Sequence, residues 1–155
     1  MAKSALKVGA KAPDFNLLDA NGEKVSLKDF KEQSVLIYFY PKANTPGCTI
    51  EACEFRDLRP KFVKQDVVVL GVSADPPKML AGFTVKQKLN FTLLSDPDHK
   101  MIEAYGAWRL KKFMGREFMG IVRSSYLIGP DGKIAQVWDH VKAKGHAAEV
   151  LQAAS

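Results

Sequence analysis

Two short runs constrain the fold more than anything else in the chain: Val35-Leu36-Ile37-Tyr38-Phe39, and the apolar stretch inside Asp66-Val67-Val68-Val69-Leu70-Gly71-Val72-Ser73. Neither alternates apolar with polar residues. A strand that is apolar on both faces has to be buried on both, the situation of central strands in a helix-covered parallel sheet. Between them, Thr49 to Lys64 places Ile50, Ala52, Phe55, Leu58 and Phe62 near helical spacing with charges in the gaps. Strand, helix, strand in that order predicts a parallel pair joined by a right-handed crossover.

The rest of the chain extends this unit. Phe15–Leu18 and Lys24–Leu27 flank the turn-forming Asp19-Ala20-Asn21-Gly22 and read as an N-terminal hairpin, with a short helical turn over Lys28–Lys31. Pro76 and Pro77 open a helix reaching about Leu89, because a first turn tolerates proline, and Phe91–Leu94 reads as a strand. Asp96-Pro97-Asp98 is a turn, Lys100–Tyr105 a short helix, and Gly106–Gly120 reads as a glycine-punctuated loop whose Trp108, Phe113 and Phe118 pack inward. Ser124–Ile128 and Lys133–Trp138 pair around Gly129-Pro130-Asp131-Gly132, and a last helix runs from about His146 to Ala153. The expected class is α/β: a thioredoxin-like fold, a central mixed β-sheet flanked by helices, with an extra N-terminal hairpin, in one domain spanning residues 1–155.

Both cysteines fall where the first buried strand hands over to the helix, in Tyr40-Pro41-Lys42-Ala43-Asn44-Thr45-Pro46-Gly47-Cys48-Thr49-Ile50-Glu51-Ala52-Cys53. Pro41 ends the strand and Cys48 enters the first turn of the helix. There a thiol faces unpaired backbone N–H groups and the positive end of the helix dipole, which favour thiolate. The competing reading makes Cys48 a small buried hydrophobe, as many free cysteines are. Thr45, three residues earlier, carries a hydroxyl that both accepts and donates, beside its simpler role as helix N-cap.

Cysteines five apart on a helix lie about 140° apart around the axis and about 7.5 Å along it, so their Cα atoms are roughly 8.6 Å apart. A disulfide rarely spans more than about 7 Å. A bond between Cys48 and Cys53 therefore requires the first turns of the helix to unwind. A reactive thiolate with a second cysteine nearby suits oxidation to sulfenic acid followed by trapping as a disulfide, with a peroxide as oxidant.

Composition excludes several other classes. Two close cysteines in 155 residues do not make a secreted disulfide scaffold, and no continuous apolar stretch occurs in Met1–Phe15, so a cytoplasmic protein with no membrane partner is expected. The net charge of +6 is spread along the chain, apart from Lys111, Lys112 and Arg116, read as a solvated loop, so no nucleic-acid partner is expected. His99, His140 and His146 make no ligand spacing with the cysteines, so no metal is expected.

Pro41-x-x-x-Thr45-x-x-Cys48 resembles the peroxiredoxin active-site signature. Tyr38-Phe39-Tyr40-Pro41-Lys42 with Thr45-Pro46-Gly47-Cys48-Thr49-x-Glu51-Ala52-Cys53 is similar to the bacterioferritin comigratory protein (peroxiredoxin Q) branch. The likeness extends to Gly9–Phe15, Gly71-Val72-Ser73, Arg123–Ile128 and Gly145-His146-Ala147, and departs at Trp108-Arg109-Leu110, where a glycine commonly follows the tryptophan. This resemblance implies that Cys48 is the peroxidatic cysteine, Cys53 the resolving one, and Arg123 an active-site arginine brought in from a later strand. Thr45 and Arg123 would bind the peroxide, backbone N–H groups near Gly47 and Cys48 would stabilise the leaving oxygen, and Pro41 would shield the site. Glu51 also matches the family, although a carboxylate in a first helical turn is favoured by the dipole alone. The implied activity is a thioredoxin-dependent peroxidase acting on hydrogen peroxide and organic hydroperoxides, monomeric, with no cofactor. Two rivals share the fold: a redox sensor or disulfide carrier, and a binding module in which both cysteines merely pack.

Overall fold

The structure is a computed structural model and describes residues 6–154; residues 1–5 of the N-terminal segment and Ser155 lie outside the described residues. Nine strands and four helices are described: β1 (Asn16–Asp19), β2 (Lys24–Ser26), β3 (Ser34–Phe39), α1 (Pro46–Lys64), β4 (Val67–Ser73), α2 (Pro77–Gln87), β5 (Thr92–Ser95), α3 (Lys100–Ala104), β6 (Trp108–Phe113), β7 (Arg116–Ile121), β8 (Ser124–Ile128), β9 (Ile134–Trp138) and α4 (His146–Ala154). Seven strands form one mixed sheet in the order β2-β1-β5-β4-β3-β8-β9. β3 and β4 run parallel, Val35 opposite Val68 and Phe39 opposite Val72, as the two apolar runs require. β8 lies antiparallel on the other side of β3, Phe39 opposite Ser124, which brings the residues just before β8 to the end of β3 where the cysteine segment begins.

Alternation along β3 feeds two cores. Leu36 and Tyr38 face one with Tyr40, Phe55, Phe62, Leu80, Phe83 and Val150, under α1, α2 and α4. Val35, Ile37 and Phe39 face the other with Tyr105, Tyr126, Met101 and Ile102. The N-terminal hairpin pairs as expected, followed by a 3-10 turn at Leu27–Phe30, and its β1 reaches β5.

The structure differs from the sequence expectations in two places. α1 begins at Pro46, three residues ahead of the apolar spacing that starts at Thr49, and so keeps Cys48 in its first turn: Thr45 is extended at the N-cap (φ −85°, ψ 155°) and proline suits the first turn that follows. Gly106–Gly120 is not a loop but contains the antiparallel hairpin β6–β7, turning through Met114 (φ 51°) and Gly115 (φ 78°) with Phe113 opposite Arg116. Nor do its aromatics all pack: Phe113 and Phe118 are exposed, while Trp108 is half-buried and stacks on His99 at 3.8 Å between ring centres. Lys111 is not a fully solvated cation, since its Nζ donates to the Ile121 carbonyl at 2.8 Å.

α1 also holds an internal proline, Pro60. Proline lacks the N–H that would bond the carbonyl four residues back, that of Arg56. Asn90 supplies the missing donor: its Nδ2 donates to the Arg56 carbonyl at 3.1 Å.

Candidate active site

Cys48 occupies the first turn of α1, as the strand-to-helix handover implies, and is buried. The side chain aimed at it comes from the other end of the sequence. Arg123 sits in the junction between β7 and β8, its carbonyl accepting from the Val141 N–H at 2.8 Å, and its Nη2 donates to Cys48 Sγ at 3.3 Å. Nη1 of the same guanidinium donates to Glu51 Oε1 at 2.7 Å. A thiol that merely packs has no need of a guanidinium, so this fork argues against the small-hydrophobe reading of Cys48. Burial opposes the charge on Arg123, yet Glu51 and Cys48 on either side hold it more firmly protonated than an ordinary arginine.

The remaining residues named from the sequence lie on the same segment between β3 and the second turn of α1, with Gly47 against the fork. Gly47 leaves room for it: a Cβ there would sit 3.1 Å from Arg123 Nη2, tighter than a guanidinium pinned at its other nitrogen easily allows. Thr45 Oγ1 donates to the Lys42 carbonyl at 2.8 Å and makes no side-chain cap bond to α1, which leaves its lone pairs for an incoming donor. Pro41 is half-buried between β3 and this loop. Cys53 does not face Cys48; its Sγ donates to Gln87 Oε1 on α2 at 3.6 Å, and both cysteines are free on an unbroken helix.

Glu51 corrects the sequence expectation. Because α1 starts at Pro46, Glu51 lies in the second turn, beyond the four unpaired N–H groups, and a dipole preference does not explain it. It is 0% exposed. Burial pushes its carboxyl up to about 7, against the pull of Arg123, and its Oε2 has no hydrogen-bond partner among the described residues. At neutral pH one arginine thus stands between Cys48 and a carboxyl that is only partly ionised.

That displacement has a sign that can be checked. A carboxyl raised from 4.5 to about 7 on folding stabilises the protein below its unfolded value, and this contribution is lost as pH rises toward about 7. Glu51→Gln keeps an acceptor for Arg123 without the charge. Denaturant titrations should therefore show wild type losing on the order of 2–3 kcal/mol relative to Glu51→Gln between pH 4.5 and 7, with the difference constant above. Parallel pH profiles would place the ionisation elsewhere.

Two contributors were missed by sequence reasoning. Asp75, just after β4, accepts from the Ala43 N–H and from Ser73 Oγ, both at 2.8 Å, and its carbonyl accepts from Ser95 Oγ at 2.7 Å, which fixes the loop carrying Thr45. A lone aspartate after a buried strand gives no local signal of that role. Lys111 lies close enough for its ammonium to respond to Arg123 and Cys48: burial lowers it, Arg123 lowers it further and Cys48 opposes. The position where the chain departs from the family pattern, Arg109, is buried, with Nε donating to the Gly106 carbonyl at 2.7 Å and Nη1 to Asp139 Oδ2 at 3.1 Å, so it ties the β6–β7 hairpin to the chain after β9.

Comparison with known proteins gives the family of the chain. The AhpC/TSA family model matches residues 8–137. The chain is a peroxiredoxin of the AhpC/TSA family, in the bacterioferritin comigratory protein (peroxiredoxin Q) branch. It is 55% identical over 141 residues, 91% of each chain, to the putative peroxiredoxin Bcp of Haemophilus influenzae. Against peroxiredoxin Bcp of Escherichia coli it is 52% identical over 146 residues, 94% of each. Among solved structures, a cysteine-to-serine variant of peroxiredoxin Q from Xylella fastidiosa superposes with a TM-score of 0.92 at 36% identity, covering 97% of this chain and 96% of that one. The Xanthomonas campestris bacterioferritin comigratory protein gives 0.89 at 37% identity, covering 98% and 97%. As a peroxiredoxin the chain is a thiol peroxidase, acting on hydroperoxides with a thiol reductant. No described helix is long and apolar enough to cross a membrane.

Proposed function

We propose that Cys48 is the peroxidatic cysteine, Cys53 its resolving partner and Arg123 the group that holds thiolate and peroxide together, with Thr45 as the second peroxide contact. The observation that carries this reading is the single guanidinium that meets Cys48 Sγ at 3.3 Å and Glu51 Oε1 at 2.7 Å. In the reaction, the Cys48 thiolate attacks the hydroxyl oxygen of the hydroperoxide. The S–O bond forms as O–O breaks, the leaving alkoxide or hydroxide takes up a proton, and Cys48 is left as sulfenic acid. Arg123, Thr45 and the backbone N–H groups of the first helical turn stabilise the negative charge that builds on the departing oxygen. Pro41 and Gly47 shape the walls, the one limiting water, the other admitting the fork.

Resolution follows from α1. Its first two turns unwind, Cys53 releases Gln87, and the Cys53 sulfur displaces the sulfenic hydroxyl, giving a Cys48–Cys53 disulfide and water. An external dithiol reduces that disulfide by exchange and is itself oxidised. Thioredoxin is the reductant in this scheme, the cycle needs only one chain, in keeping with a monomer, and the protein works in the cytoplasm without a cofactor. Organic as well as hydrogen peroxide suits the site, in keeping with the alkyl peroxide reduction described for the Xanthomonas campestris relative.

Intact mass after one equivalent of hydrogen peroxide tests the scheme. Loss of two hydrogens within seconds, mapped to a Cys48–Cys53 crosslink, is the expected product. Two free thiols and an unchanged mass would sink it, while a slow crosslink that one client protein alone discharges would mark a disulfide carrier.

A further inference from the structure

The β6–β7 hairpin forms a two-stranded sheet of its own, outside the seven-stranded sheet. A lone hairpin is marginal in water, and this one is held at its base: Arg109 by Asp139 and the Gly106 carbonyl, Trp108 by His99, and the Val122 N–H by the Ala107 carbonyl at 2.8 Å. Counted from that base its strands are six residues each, roughly 20 Å. The far end is apolar and uncovered. Phe113 is 66% exposed and Met114 86%, with Leu110, Met119 and Phe118 exposed behind them.

Met114 sits in the left-handed region at the first position of a two-residue turn, where Asn, Asp or Gly is preferred. A large apolar side chain is therefore presented at the outermost point against local backbone preference. The charges around it are mainly of one sign: Lys112 and Arg116 flank the turn, and the one acid, Glu117, lies 3.7 Å from Lys112. Two copies meeting tip to tip would bring these cations together. An anionic lipid surface would instead accept the apolar tip between acyl chains and the cations at its headgroups.

We infer that the β6–β7 hairpin is a peripheral membrane-docking element, seating Phe113 and Met114 in an anionic phospholipid surface with Lys112 and Arg116 on the headgroups. No spanning segment is needed for such a contact, so it narrows the sequence expectation of no membrane partner to one of no membrane crossing. It also has a direct line to the site: β7 runs through Val122 into Arg123, so a docked molecule holds its Cys48 about one strand length from the lipid surface.

Flotation of the full chain with vesicles tests this, using equimolar phosphatidylglycerol and phosphatidylcholine against pure phosphatidylcholine. The anionic vesicles should carry the protein at least about tenfold more strongly, and raising salt from about 0.05 to about 0.5 M should release it. Phe113→Ser with Met114→Ser should cut binding at least about tenfold while leaving hydrogen peroxide consumption with dithiothreitol unchanged. No wild-type binding to anionic vesicles, or binding indifferent to the double substitution, overturns the proposal. So does a wild type that sizes as a dimer and becomes monomeric on substitution, which assigns the tip to a second copy. A double variant that loses only thioredoxin-coupled turnover, with vesicle binding retained, assigns it to the protein reductant.

Discussion

Cys48→Ser consumes no hydrogen peroxide above background in a thioredoxin-coupled assay, a loss of at least about 10³-fold, because a serine hydroxyl beside the same arginine remains protonated and is a far weaker nucleophile than thiolate. Cys53→Ser behaves differently. It keeps Cys48, Arg123, Thr45 and the fold, so it takes up one equivalent and then stalls as sulfenic acid, which further peroxide converts to sulfinic acid. Mass spectra distinguish the two by one added oxygen, then two. If both variants turned over alike, neither cysteine would hold its assigned role.

Arg123→Ala is the second large effect. The guanidinium is the one cation donating to Cys48 Sγ among the described hydrogen bonds, and it also fixes Glu51. Its removal should slow oxidation of Cys48 by about 10² to 10³, or roughly 3–4 kcal/mol of barrier, comparable with deleting a donor from an oxyanion hole. Alkylation of Cys48 at a fixed pH should slow as well, since the cation that donates to its sulfur is gone. Stability at neutral pH should suffer less than for most broken buried pairs, because Glu51, left without its cation, can take up a proton. Arg123→Lys should recover part of the alkylation rate but little of the peroxide rate, as a point charge lacks the fork that reaches sulfur and carboxylate together. Alkylation and peroxide rates that ignore both substitutions would make Arg123 a structural ion-pair partner of Glu51 alone.

What the sequence made legible follows from range. The buried strands β3 and β4 announce themselves through uninterrupted branched residues, and the helix between them through its spacing, so the handover that places Cys48 in a first turn can be read from adjacent residues. Thr45, Gly47 and Cys53 lie within that same stretch. Arg123 is 75 residues away from Cys48, and nothing in its immediate neighbourhood says that β8 will pair with β3; the family resemblance named it, and the antiparallel register explains it. Asp75 and the burial of Glu51 are likewise properties of packed elements. The β6–β7 hairpin was missed for a local reason. Trp108-Arg109-Leu110-Lys111 does alternate as a strand should, but Lys112 breaks the pattern, and Met114-Gly115 is a poor match to the usual hairpin turn.

The proline break in α1 takes on a different meaning once the helix has to open and close with every turnover. Unwinding that starts at Pro46 runs toward Arg56, whose carbonyl is already detached from the helical ladder and tied to Asn90, and whose Nη1 donates to the Gln87 carbonyl at 2.6 Å. Past that point the helix keeps its own ladder and is pinned from outside as well, and Phe62 remains locked in the core. Pro60 and Asn90 thus act as a firebreak: the catalytic end can melt to bring two sulfurs together, and the cooperativity that would carry the melting into the core is interrupted there.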